Sequence, residues 1–199
     1  MNERNEIKSA WEIALEKVRN IQMSEEELNR TGYVEEGKKI AARFIREGKP
    51  DLAFSMKKYP KDAKAHVQEG IEFVLFCNIV LPITDSLKKD ALNAIEGLKV
   101  LYQGKRTFIG ILSAVRELLE SYRVDREENY RKLKKSFQMR MENTKRAVED
   151  QLGLKVKIEA RNHPEFIKEW RMLLTQLDGE YSRILEEYKE KLRRSLKEE

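Results

Sequence analysis

From Thr107 to Leu152 the chain has no proline, and Phe108, Leu112, Val115, Leu119, Tyr122, Tyr130, Leu133, Phe137, Met141, Thr144, Val148 and Leu152 fall on one slowly drifting stripe. Steps of three and four residues bring side chains to one face of an α-helix. The stretch therefore reads as a single helix of more than 40 residues, against ~11–12 for an ordinary one. Such a helix cannot bury its stripe against itself, so the sequence requires a partner of similar length, as in a coiled coil or a long hairpin arm.

The chain supplies that partner at its end. Asn162 is placed to cap a helix, with Pro164 in the first turn and Glu165 three residues on. Phe166, Trp170, Leu173, Leu177, Tyr181, Ile184, Tyr188, Leu192 and Leu196 then make its stripe. Their steps average above 3.6, which suits straight or slightly right-handed packing better than a strict heptad coil. Residues 105–199 are thus expected to form a long antiparallel helical hairpin, coiled-coil-like. The polar interruption from Tyr122 to Glu128 marks the level at which this arm leaves the rest of the protein.

Between the two helices, Leu154, Val156, Ile158 and Ala160 alternate with charged residues, which is strand periodicity. A short β segment over 154–160 has three possible outcomes: a loop laid on the helices, a ribbon with the same segment of a second copy, or an edge open to a peptide.

Residues 1–104 read as a compact helical domain. Its first helix opens at Ser9 and Glu12, a capping box, and aligns Ile7, Trp11, Leu15, Val18 and Ile21. A second box, Ser24 and Glu27, opens a helix with Tyr33, Gly37, Ile40 and Phe44 on its buried face, ended by Gly48 and Pro50. A short helix follows to Tyr59. From Lys61 a helix runs into Gly70–Pro82, which is apolar on nearly every side and is therefore expected to be the buried central helix. Thr84 or Asp85 caps the next helix, which Gly104 closes.

The opening Ser9-Ala10-Trp11-Glu12-Ile13-Ala14-Leu15-Glu16-Lys17, followed by Ser24-Glu25-Glu26-Glu27-Leu28, resembles the start of an uncharacterised bacterial family of small helical proteins of unknown function. The resemblance implies no activity.

Charged residues make up 38% of the chain, with 9 Gly and 4 Pro, which is the profile of long solvated helices and an all-α class. With 40 basic and 35 acidic residues the net charge is only +5, too balanced for a polycation that binds nucleic acid along its whole length. The one cysteine, Cys77, cannot form an internal disulfide and is expected as a small buried hydrophobe. With no apolar leader and no span of ~20 apolar residues, the reading is cytoplasmic, with no membrane partner.

No nucleophile stands beside a histidine, and there is no phosphate-cradling glycine loop and no Cys-x-x-Cys. No catalytic residue and no cofactor is assigned, and the balance leans against an enzyme without deciding it. His66, Glu69 and Glu72 share a helix face and are the weak candidates for a metal, although the set is incomplete. Glu72, flanked by apolar residues, needs a cationic partner or a pocket. The basic run Arg131, Lys132, Lys134, Lys135, Arg140, Lys145 and Arg146 faces a lone Glu142. It could meet phosphates or an acidic partner, or be neutralised across the hairpin by Glu180, Glu186, Glu187 and Glu190. The leading expectation is a non-enzymatic interaction or scaffold protein that self-associates through the hairpin as a homodimer or docks another protein. Trp170, Tyr181, Tyr188 and Leu192 are its candidate contacts. A sequence-independent nucleic-acid role for 131–146 is the alternative, and a small-ligand or metal site near His66 the distant one.

Overall fold

The computed structural model describes residues 25–48, 51–152 and 160–198, with side chains over 27–48, 51–142 and 161–197. Among the described residues the protein is all-α: α1 (Glu25–Glu47), α2 (Leu52–Met56), α3 (Lys61–Asn78), α4 (Asp85–Leu101), α5 (Arg106–Leu152), a 3₁₀ turn (Ala160–Asn162) and α6 (Pro164–Glu198). The first expected helix, Ile7 to Ile21, and the β segment up to Glu159 lie outside the described residues. Ala160, the last residue of that segment, opens the 3₁₀ turn.

The punctuation read from the sequence is where helices end. Gly48 takes a φ of +69°, and its N–H donates to the Phe44 carbonyl at 2.7 Å, the left-handed stop that closes α1. Asp51, which the sequence pattern did not single out, caps α2, accepting from the Phe54 N–H. Thr84 caps α4, its hydroxyl accepting from the Leu87 N–H at 3.2 Å. Thr84→Ala is expected to lower stability by about 1 kcal/mol, read as a shifted urea midpoint at unchanged slope. At α6 the expected cap moves by one residue. Asn162 belongs to the 3₁₀ turn, and the His163 Nδ1 accepts from the Glu165 N–H at 3.3 Å, with Pro164 as the first helical residue.

α1 and α3 run in the same direction and touch backbone to backbone. A Cβ on Gly37 would lie 2.0 Å from the Val67 carbonyl oxygen, and one on Gly70 would lie 2.0 Å from that of Val34. α4 returns antiparallel to α3, with Leu75 against Gly97, and α5 returns antiparallel to α4, with Lys88 on Glu120 at 3.1 Å and Arg116 on Glu96 at 3.4 Å. Asn93 of α4 donates to the Ile45 carbonyl at 2.7 Å, satisfying an acceptor in the last turn of α1.

One hydrophobic core joins these elements, and it runs across residue 104. Val67, Ile71, Leu75, Ala91, Ile95 and Leu98 share it with Phe108, Leu112, Val115 and Leu119 of α5 and with Leu185 and Leu192 of α6. A second, small core holds Phe137 and Phe166. The base of the hairpin is therefore part of the globular core, and only its outer half extends beyond.

The run Gly70–Pro82 differs from its expectation in two respects. Ile71, Leu75 and Ile79 are fully buried, but Phe73 is 59% exposed and Cys77 is exposed. α1 and α4 take two sides of α3, and on the third the Lys38 ammonium of α1 stands over the Phe73 ring at 5.1 Å. The helix ends at Asn78, four residues before Pro82. No helix among the described residues is long and apolar enough to cross a membrane.

Candidate interaction surface on the hairpin arm

The 47-residue α5 and 35-residue α6 pair antiparallel. The polar interruption at Tyr122–Glu128 is the shoulder where this pair grips the rest of the protein. Tyr122 of α5 is fully buried and donates to Asp178 Oδ1 of α6 at 2.7 Å, while Tyr181 of α6 donates to Asp125 Oδ2 of α5 at 2.6 Å. The two rings meet edge to face with centroids 5.3 Å apart. Burial first, and then the carboxylate acceptors, push the Tyr122 hydroxyl well above its ordinary range and the Tyr181 hydroxyl up to about 12. Arg126 donates to the Ile83 carbonyl at 2.7 Å and Arg123 meets Asp85 at 3.3 Å, tying the shoulder to the turn before α4. Pro82, Ile83, Arg126, Tyr130 and Trp170 line an open groove of about 330 Å³ there.

Beyond the shoulder the seam is a ladder of rings. Tyr130 stands edge-on to Trp170 and Phe166 at 5.1 and 5.7 Å, and Phe137 stands against Phe166 and His163 at 5.5 and 5.1 Å. Arg140 lies over Phe137 at 5.1 Å and grips both oxygens of Glu169, at 2.9 and 2.7 Å. Phe137 and Phe166 are buried, while Tyr130, Leu133 and Met141 are only partly so. On the outside of the arm Met139 is 63% and Met172 66% exposed.

The basic run is divided by this geometry. Arg131 pairs with Glu127 at 2.9 Å and Lys132 with Glu128 at 3.3 Å, one turn back on the same helix, and Arg140 is held by Glu169. Lys134 and Lys135 make no ion pair among the described residues. Lys145 and Arg146 have side chains outside them. The acidic residues expected to neutralise the run across the hairpin serve α6 instead: Glu180 accepts from Gln176, and Glu186, Glu187 and Glu190 pair with Lys189, Arg183 and Arg193. Side chains three and four residues apart on one helix meet without any tertiary alignment, so these local pairs form first.

The four residues singled out for contacts face inward. Trp170 packs on Tyr130, Tyr181 belongs to the shoulder, Tyr188 packs against the core with Lys191 over its ring, and Leu192 is fully buried. The apolar stripe that identified α6 is its intramolecular face.

His66, Glu69 and Glu72 are drawn apart. Glu69 accepts from Arg30 of α1 through both oxygens at 3.2 Å, and the His66 Nδ1 stands 3.9 Å from it. Glu72 accepts instead from the Tyr102 hydroxyl and from Gln68 Nε2, the latter at 2.7 Å. The partner required for this carboxylate is thus a phenol and an amide rather than a cation. Burial and that carboxylate push the Tyr102 hydroxyl well above its ordinary range. Among the described residues no three His, Cys, Asp or Glu side chains converge on one point. The Tyr122, Asp178, Asp125 and Tyr181 set was not anticipated as a unit. Its signal is polar residues at seam positions of both helices, at matching distances from the hairpin turn.

The profile of a family of unknown function, DUF6657, matches residues 54–194. The chain belongs to that family. The match spans the core from α2 onward, the shoulder and the arm; the opening residues that resemble an uncharacterised family lie before it. No curated protein and no solved structure matches the chain.

Proposed function

We propose that this DUF6657 protein is a non-enzymatic docking protein that self-associates through the outer half of its hairpin. The observation that carries this reading is the thin seam beyond the shoulder. Among the described residues the two helices bury only Phe137 and Phe166 there, and leave Tyr130, Leu133 and Met141 partly open with Met139 and Met172 outside. The arm of a second copy, related by a two-fold axis, would close that seam into a four-helix arrangement. A cytoplasmic location is part of the proposal, supported by an exposed free cysteine, which suits a reducing compartment.

Light scattering with small-angle X-ray scattering on the intact chain tests it. The expected result is a dimer that Met139→Glu with Met172→Glu converts to a folded monomer that still melts cooperatively, at a melting temperature lowered only by the loss of association. A native chain that stays monomeric at its highest soluble concentration overturns the reading.

A nucleic-acid role is favoured by one observation: among the described residues of the basic run, Lys134 and Lys135 make no ion pair, whereas Arg131, Lys132 and Arg140 do. Two phosphate contacts predict a log–log salt slope near about −1.8 on duplex DNA. Lys134→Glu with Lys135→Glu is expected to remove that binding, and a salt-independent affinity would rule it out.

A further inference from the structure

Three hydrogen-bond donors line the groove at the shoulder without a protein acceptor for their full capacity. Arg126 and Tyr130 of α5 and Trp170 of α6 are all partly buried there, beside Pro82 and Ile83 of the turn before α4. Among the described residues the Tyr130 hydroxyl and the Trp170 indole N–H make no hydrogen bond. Arg126 makes one, from Nη1 to the Ile83 carbonyl at 2.7 Å, and no ion pair. That bond holds the guanidinium at the wall and leaves the rest of its N–H fork unused. Withdrawing such groups from water costs free energy unless acceptors meet them.

The acidic groups of the groove are already engaged. Asp85 meets Arg123 at 3.3 Å, and Glu127 meets Arg131 at 2.9 Å. What remains is the single positive charge of Arg126 and a set of donors, so the matching ligand is an anion that accepts several hydrogen bonds. One cation balances one negative charge, which favours a carboxylate over a phosphate monoester with its charge of about −1.5 to −2. A carboxylate is also planar and can take two N–H groups of a guanidinium at once. The walls set the rest of the ligand. Trp170 stands edge-on to Tyr130 at 5.1 Å, and Pro82 with the 48% exposed Ile83 adds apolar surface. The groove's volume of about 330 Å³ has room for one small molecule.

We propose that the shoulder groove binds a small monocarboxylate with a flat apolar body. The carboxylate accepts from Arg126 and from the Tyr130 hydroxyl or the Trp170 indole N–H, and the body rests on Trp170, Pro82 and Ile83. The site lies apart from the outer half of the arm and does not rest on self-association.

Phenylacetate is the probe, titrated into the full chain and followed by NMR. One saturable site is expected, with a Kd of about 1 mM or tighter, and with a shift of the Trp170 indole N–H signal. The chain has two tryptophans, and Trp11→Phe assigns the signals. Phenylacetamide keeps the ring without the charge, and acetate the charge without the ring; each should bind at least about tenfold more weakly. Arg126→Gln should remove the preference for the acid over the amide, while Arg126→Lys, which keeps the charge, should retain it. The lysine variant thereby tells loss of the cation from loss of the fold. Absence of saturable binding overturns the proposal, as does equal affinity of the native chain for acid and amide. An unmoved Trp170 signal overturns it too, and so does an acid preference that survives Arg126→Gln.

Discussion

Alanine at Gly70 or at Gly37 is expected to lower the unfolding free energy by about 3 kcal/mol, because the added methyl meets backbone that cannot rotate away. At each position the new Cβ would stand 2.0 Å from a carbonyl oxygen of the facing helix. The only relief is to move α1 and α3 apart, which loosens Ala41, Val67 and Ile71 in the core between them. The same substitution has the opposite sign elsewhere. Gly32, Gly110 and Gly179 sit inside helices with nothing within 4 Å of a Cβ, and alanine there should raise stability by about 0.5–1 kcal/mol through helix propensity alone. Urea midpoints of the five variants decide the matter. If Gly37→Ala and Gly70→Ala shift with the other three, the helices are not in backbone contact.

Loss of the Tyr122 hydroxyl should cost about 2 kcal/mol, since its acceptor is a carboxylate, and loss of the whole ring in Tyr122→Ala about 4 kcal/mol. Tyr122 is fully buried between two helices, and its hydroxyl donates to Asp178 Oδ1. Tyr181→Phe, nearer solvent, should cost less. A double-mutant cycle of Tyr122→Phe with Asp178→Ala should return a coupling that Tyr122→Phe with Glu186→Ala does not. The same tyrosines set an alkaline limit. Tyr102, Tyr122 and Tyr181 have folded values raised above the ordinary 10.0, Tyr181 to about 12. Their contribution is therefore complete below pH 10 and is lost as the pH rises from there through the folded values, where the unfolded chain binds fewer protons than the folded one. The stability of the native protein should fall steeply above pH 10, and the triple phenylalanine variant should fall less steeply. An equal decline in both would mean that these hydroxyls ionise as freely in the fold as in the unfolded chain.

Much of the architecture is written in local pattern. The stripe from Phe108 onward, the stop at Gly48, the cap at Thr84 and the antiparallel return of α6 all follow from side-chain spacing and from backbone groups that need partners within a few residues. The surface chemistry is legible only in part. The basic run 131–146 is a real cluster in the sequence, yet Glu127, Glu128 and Glu169 reduce its described part to Lys134 and Lys135. Two of those three carboxylates stand immediately before the run. Glu169 depends on the register of the hairpin.

The sequence by itself determined the class, the long helix and its partner, because helical periodicity and capping act over a few residues and do not depend on what lies across the core. Only the tertiary structure decided which glycines are packing surfaces and which are merely permissive, since Gly37 and Gly110 look alike until another backbone approaches one of them. It also decided that Glu72 is met by Tyr102, that Asp178 and Asp125 cross-bond with Tyr122 and Tyr181, and that the most apolar helix leaves Phe73 and Cys77 open. Each of these depends on the distance between residues far apart in the chain, a distance that folding sets and spacing does not encode.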